Sequence, residues 1–259
     1  MLFSWWKSRR RRRVMDAPFP AEWLAILERD FAHYALLSAD EKARLLHIVQ
    51  VLLDEKTFTG CGGLEMTDEI RVAIAAQAAL LILCLPHDYY ENVDSILVYP
   101  QSYVLPRTRP TGVGLFTEEK LAVQGSAHHG GPVVLSWDSA RGGGRNARDG
   151  RNVVYHEFAH KLDMLDGLTD GTPELDDRTE FRAWVKVMTE EYARLCEDAK
   201  KGRKTLLDKY GALNVGEFFA VATEVFFEKP TQLKARHPNL YQVLRDFYEQ
   251  DLAARFEPA

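Results

Sequence analysis

The chain has 259 residues, 46% of them hydrophobic and 27% charged, a composition that can bury a sizeable core and excludes a disordered, fibrous or low-complexity protein. Its formal net charge of -5 is uneven: residues 1–13 hold six cations (Lys7, Arg9, Arg10, Arg11, Arg12 and Arg13) and no acid, leaving about -11 on the rest. An acidic body lacks the basic footprint of a nucleic-acid binder. The cysteines Cys61, Cys84 and Cys196 form no CxxC pair and fit a reducing, cytoplasmic setting.

At the start, MLFSWWKSRRRRR places its charges after its aromatic residues, the reverse of a secretory signal. Residues 1–18 are therefore expected as a basic, solvated and disordered tail. The functional alternatives are a weak anchor at an anionic membrane surface and a nucleic-acid arm. Residues 20–56 read as two amphipathic helices: Trp23, Ile26, Leu27 and Phe31 recur at helical spacing, and Ser38 with Glu41 forms a capping box. Thr67 opens the next helix, and span 72–85 is apolar except for Gln77. That span is shorter than the roughly 20 residues a bilayer needs and ends at Pro86, so it predicts a buried core helix without stable membrane insertion.

Strand-like segments follow at Ile96-Leu-Val-Tyr-Pro100, at 103–105 and at Pro132-Val-Val-Leu-Ser-Trp137. Between them, 106–131 is rich in Pro and Gly, with a short strand expected near 121–124. Residues 138–151 read as a mobile polar loop. Its glycine run is followed by Arg-Asn rather than Gly-Lys-Ser/Thr, which excludes a phosphate-binding loop. Helices are expected at 152–165, 178–200, 215–228 and 238–255. The order of helices, small sheet, then helices predicts an α+β class, with 19–259 as a single domain.

The chemistry concentrates in Val153-Val-Tyr-His-Glu-Phe-Ala-His-Lys-Leu-Asp163. On a helix, His156 and His160 lie one above the other and can aim both imidazoles at one ion. Glu157 can then reach a water on that ion, and zinc lowers the pKa of such a water toward ~7, within reach of a carboxylate base. This is the His-Glu-x-x-His arrangement of zinc peptidases. A catalytic site needs a third protein ligand. Asp163 lies about 10 Å further along the axis than His156 at 1.5 Å per residue, too far on a straight helix, and reads as a supporting carboxylate. Asp163 and Asp166 also stand where HExxHxxGxxH would require Gly and His. The search passes to the helix at 215–228, where Glu217 and Glu224 share one face of an apolar segment and need buried partners. Glu217 also suits a capping box three residues after Asn214. Spacing does not choose between the two glutamates.

These residues resemble the Mlc titration factor A peptidases, which are similar to the catalytic domain of anthrax lethal factor. The resemblance runs from about Phe19 to Phe256 and rests on four blocks: Ile96-Leu-Val-Tyr-Pro100, Gly131-Pro-Val-Val-Leu-Ser-Trp137, the 156–163 motif, and Glu217-Phe-Phe-Ala-Val with Glu224-Val-Phe-Phe227. It implies a zincin-like fold with an active-site helix and a gluzincin-type site. In that site His156, His160 and Glu217 bind Zn2+, Glu157 is the general base, Tyr210 stabilises the oxyanion, and Glu224 fixes the tautomer of a ligand histidine. It also implies aminopeptidase-like activity on small substrates and binding of a Mlc-type transcriptional repressor that controls sugar phosphotransferase genes. A peptide substrate is expected to lie along 133–137 by β-augmentation. His128 and His129 read as exposed loop residues. The competing reading is a repressor-binding protein whose zinc site is structural or weakly active.

Overall fold

The computed structural model describes residues 2–110, 116–123, 125–127, 131–175 and 177–256. It is α+β and mostly helical, with a small mixed sheet. In chain order the elements are α1 (Leu2–Met15), α2 (Ala21–Asp30), α3 (Ala39–Glu55), β1 (Thr57–Gly60), α4 (Asp68–Leu81), β2 (Ser95–Tyr99), β3 (Tyr103–Pro110), β4 (Phe116–Val123), β5 (Gly125–Ala127) and β6 (Val133–Ser136). Then follow α5 (Trp137–Arg145), α6 (Val153–Asp163), α7 (Arg178–Lys200), α8 (Val215–Glu228), α9 (Pro230–Arg236), α10 (Pro238–Tyr248) and α11 (Leu252–Phe256). Short 3-10 turns occupy Ala32–Leu36 and Lys209–Ala212.

The sheet has the order β1-β2-β6-β5, with β1, β2 and β6 parallel and β5 antiparallel to β6. Parallel neighbours need a crossover, and α4 provides the one between β1 and β2. Strand β3 pairs with β4 in a separate two-stranded sheet. Alternation along β2 and β6 buries Ile96, Val98, Val133 and Leu135. Helix α4 is buried almost all round, from Val72 through Leu81, which explains its lack of a polar stripe. Among the described residues, no helix is long and apolar enough to cross a membrane.

The structure departs from the sequence reading in several places. Residues 2–15, expected as a disordered tail, form α1, because Arg11 inserts between Glu55 and Asp88 and stacks on the Tyr89 ring. The expected loop at 138–151 begins as α5. Ser136 caps it, and Arg145 pairs with the buried Asp30. Gly143 and Gly144 serve close packing rather than mobility: a Cβ on Gly144 would lie 2.7 Å from the Asp30 carbonyl oxygen, and one on Gly143 2.9 Å from the Asn152 side chain. The helix expected over 238–255 is interrupted at Glu249, which adopts a left-handed conformation with φ 52. Finally, β6 has β2 on one side and β5 on the other, so it has no open edge to receive a peptide. Among the described residues, β5 ends the sheet on that side and β1 on the other.

Helix α8 forms the centre of the second half of the core. Phe218, Phe219, Phe226 and Phe227 are buried on it, against Trp184, Tyr241 and Tyr248. His33 links this core to α6. Its Nε2 donates to the Phe227 carbonyl oxygen at 3.0 Å, so Nδ1 accepts from the Tyr155 hydroxyl at 3.0 Å. Burial, with no carboxylate beside it, pushes His33 down to about 4. A base whose folded value lies below its unfolded value near 6.5 gives stability that is complete above pH 6.5 and lost as pH falls toward 4. The wild type is expected to lose roughly 2–3 kcal/mol more than His33→Gln between pH 7 and pH 4.5 in urea unfolding. Equal losses in the two proteins would refute the assignment.

Candidate metal centre

Asn152 starts the helix that matters most. Its side-chain oxygen accepts from the Val154 and Tyr155 amides at 3.0 and 3.1 Å, satisfying donors the first turn leaves open. Its own amide nitrogen donates to Gln77, the polar residue within α4. Gln77 in turn donates to the Ala73 and Ala140 carbonyls, so the buried amide ties α4, α5 and α6 together. The lone polar residue of the apolar span is thus an anchor for the start of α6.

One turn further on, His156 and His160 lie with ring centroids 4.9 Å apart. From α8, Glu217 reaches both: its Oε2 stands 2.9 Å from His156 Nε2 and 3.4 Å from His160 Nε2. Donor atoms of all three residues lie within 4.8 Å of one another. Asn214 caps α8 by accepting from the Glu217 backbone amide at 2.9 Å, while the Glu217 carboxylate turns toward the histidines. Only the Asn214 half of the capping box forms, which leaves that carboxylate available.

Glu224, a further two turns along α8, reaches the other side of the same imidazole. Its Oε1 accepts from His156 Nδ1 at 2.7 Å, and its Oε2 accepts from the Asn152 backbone amide at 2.7 Å. One carboxylate therefore orients His156 and fastens the start of α6 to α8. His160 Nδ1 has no comparable support among the described residues. Asp163 is buried, and its Oδ2 accepts from the Gly171 amide at 3.1 Å, so it holds the loop after α6 and stays outside the donor group.

The electrostatics follow from three carboxylates packed around two imidazoles. Burial works against a charged His156, but its hydrogen bonds to Glu217 and Glu224 raise it to about 10. Burial likewise works against ionised Glu217, and hydrogen bonds from His156 and His160 bring it down to about 2. Glu157 is 4% exposed. Burial pushes it up to about 8; His156 opposes the rise and the charges of Glu217 and Glu224 add to it. Such a cluster calls for a cation. Ligand atoms about 2.0–2.2 Å from a tetrahedral ion lie roughly 3.3 Å apart, and two imidazole nitrogens with one carboxylate oxygen suit zinc. The donor set fits such an ion.

Glu157 faces β5: a Cβ on Gly125 would lie 2.5 Å from Glu157 Oε1 and 2.6 Å from Val153 Cγ2. The strand thus approaches the glutamate as closely as a glycine permits. Tyr210, in the 3-10 turn before α8, is 45% exposed; its hydroxyl is 3.5 Å from Glu217 Oε1 and its ring centroid 5.9 Å from that of His156. His128 and His129 lie outside the described residues. Sequence reasoning missed Gly125, Gln77 and the Asn152 support. An Asn directly before an apolar helix was the available signal for the last, whereas Gly125 sits in a segment whose glycines all look like turn residues.

The family model for the glucose-regulated metallo-peptidase M90 matches residues 4–249. An uncharacterized protein of Synechocystis sp. is 38% identical over 244 residues, covering 94% of this chain and 89% of that protein. Mlc titration factor A of Edwardsiella ictaluri is 33% identical over 224 residues, covering 84% of this chain and 83% of that one. Mlc titration factor A of Yersinia pestis is 30% identical over 228 residues, covering 86% and 83%. With a match that spans nearly its whole length, and with the His-His-Glu group in place, the chain belongs to the glucose-regulated metallo-peptidase M90 family.

Proposed function

We propose that this protein is a zinc-dependent, gluzincin-type peptidase with a zincin-like fold and a single catalytic domain over 19–259. The observation that carries the reading is the convergence of His156, His160 and Glu217, with Glu157 in the same helical turn. In it the two histidines and Glu217 hold the ion, and Glu224 keeps His156 in the tautomer that presents Nε2. Zinc bound there supplies Lewis acidity, lowering the pKa of a water toward ~7 and polarising the scissile carbonyl. Glu157 takes the proton of the attacking water and returns it to the leaving amine. The Tyr210 hydroxyl donates to the oxygen on which negative charge develops. The peptide lies along β5, whose Gly125 abuts Glu157.

Removal of metal tests this directly. Dialysis against a strong chelator is expected to abolish hydrolysis of small unblocked peptides, and stoichiometric zinc to restore it. Undiminished hydrolysis by the metal-free chain would overturn the proposal, and parallel assays on N-blocked peptides distinguish aminopeptidase from endopeptidase action. Tyr210→Phe is expected to lower kcat by roughly ten- to a hundredfold with zinc content unchanged, since it removes a donor used only as charge develops. A kcat equal to wild type would remove Tyr210 from the mechanism.

A second reading is favoured by the relatives named Mlc titration factor A. In it the chain binds a Mlc-type transcriptional repressor and thereby regulates sugar phosphotransferase genes. Catalysis and binding are separable by Glu157→Gln. Cys61, Cys84 and Cys196 as free thiols support a reducing, cytoplasmic setting.

A further inference from the structure

Helix α1 has two faces with different partners. Toward the body, Arg11 pairs with Glu55 and Asp88 and covers the Tyr89 ring at 4.3 Å. Lys7 pairs with Asp88 at 2.7 Å, Arg10 with Asp54 at 2.8 Å, and Met15 contacts the Tyr89 hydroxyl. At 100° per residue, Lys7, Arg11 and Met15 fall on one side. The opposite side carries Trp5, Trp6, Arg9, Arg12 and Arg13, all exposed. Trp5 is 49% and Trp6 63% exposed, with ring centroids 5.3 Å apart, and Arg9 stacks over Trp5. Among the described residues, Arg9, Arg12 and Arg13 have no carboxylate partner, although the body is acidic.

Two neighbouring exposed indoles followed by three unpaired guanidiniums form an unusual surface on a helix that is fixed in place. Indoles favour the boundary between headgroups and acyl chains, and guanidiniums pair with lipid phosphates. We propose that the outer face of α1 is a peripheral binding element for anionic phospholipid surfaces. Trp5 and Trp6 enter the headgroup boundary, and Arg9, Arg12 and Arg13 lie over the phosphates. The acids of the body repel the same surface, but over distances beyond roughly 10 Å salt screens them, whereas the arginines touch it. Lys7 and Arg11 contribute through the body: their ion pairs hold α1 so that this face points outward. A nucleic-acid duplex is the lesser candidate, because three arginines on one short helix face neutralise few phosphates and the surrounding protein is acidic.

The test uses the full chain and sedimentation with phosphatidylcholine vesicles, with and without phosphatidylglycerol. Wild type is expected to co-sediment with the anionic vesicles, to show a blue-shifted tryptophan emission there, and to remain in solution with phosphatidylcholine alone. The pair W5A/W6A and the triple R9Q/R12Q/R13Q are each expected to lower the partition coefficient about tenfold or more. Both leave the docked face intact, and unchanged circular dichroism and thermal midpoint exclude loss of fold. Failure to bind anionic vesicles at low salt overturns the proposal, as does binding that neither variant weakens. Binding to duplex DNA that R9Q/R12Q/R13Q abolishes, without vesicle binding, overturns it in favour of nucleic acid.

Discussion

Glu157→Gln is expected to lower kcat for peptide hydrolysis by about a hundredfold to ten-thousandfold while zinc content stays at the wild-type level. The substitution keeps the shape of the side chain and removes its capacity to take up and release a proton. Glu157 lies between the histidine-bearing turn of α6 and Gly125 of β5, and is almost wholly buried. A near-isosteric replacement is therefore needed, because a shorter one would leave a cavity beside β5 and confuse the reading. Glu157 also stands outside the donor group formed by His156, His160 and Glu217, so zinc binding has no reason to change. Hydrolysis is followed with a small unblocked peptide and zinc by elemental analysis of the same preparation. Unchanged hydrolysis would sink the base assignment. If hydrolysis vanishes and a Mlc-type repressor still binds, the two proposed activities are separate properties of one chain.

The part of this site legible in the sequence is the part built locally. His156, Glu157 and His160 lie within one helical turn and a fraction, so their shared face follows from helix geometry alone. The Ser38 capping box and the Asn214 cap are local in the same sense, and both form. What remained open depended on long-range packing. Glu217 and Glu224 are seven residues apart, which puts both on the face of α8 that meets α6. Only the relative placement of the two helices sends one carboxylate to Nε2 and the other to Nδ1 of the same imidazole.

Non-local partners account for the misread elements as well. A run of arginines reads as solvated, yet Arg11 finds acids 44 and 77 positions away. Three consecutive glycines read as a loop, yet in α5 two of them, Gly143 and Gly144, let backbone approach Asp30, Gln77 and Asn152 more closely than a methyl group allows. Strands β1 and β5 span only four and three residues, and pairing with β2 and β6 specifies them more than their own sequences do.

The division of labour between the two glutamates gives the second large expected effect. Glu217→Ala removes an oxygen donor of the His-His-Glu group, and the purified protein is expected to lose stoichiometric zinc together with hydrolysis. Glu224→Ala leaves every donor atom of that group in place. It frees the His156 ring to rotate or to present the wrong nitrogen, and it leaves the Asn152 amide without its acceptor. Loss of such an orienting carboxylate weakens metal affinity by about ten- to a hundredfold, so zinc is retained when supplied in excess and surrendered sooner to a competing chelator. Chelator competition monitored by absorbance reads both variants on one scale. The expected order of affinity is wild type, then Glu224→Ala, then Glu217→Ala. The reverse order of the two variants would make Glu224 the ligand and Glu217 its support. The geometry argues against that outcome, because Glu217 Oε2 is the oxygen that stands between the two Nε2 atoms, whereas both oxygens of Glu224 are engaged by His156 Nδ1 and the Asn152 amide.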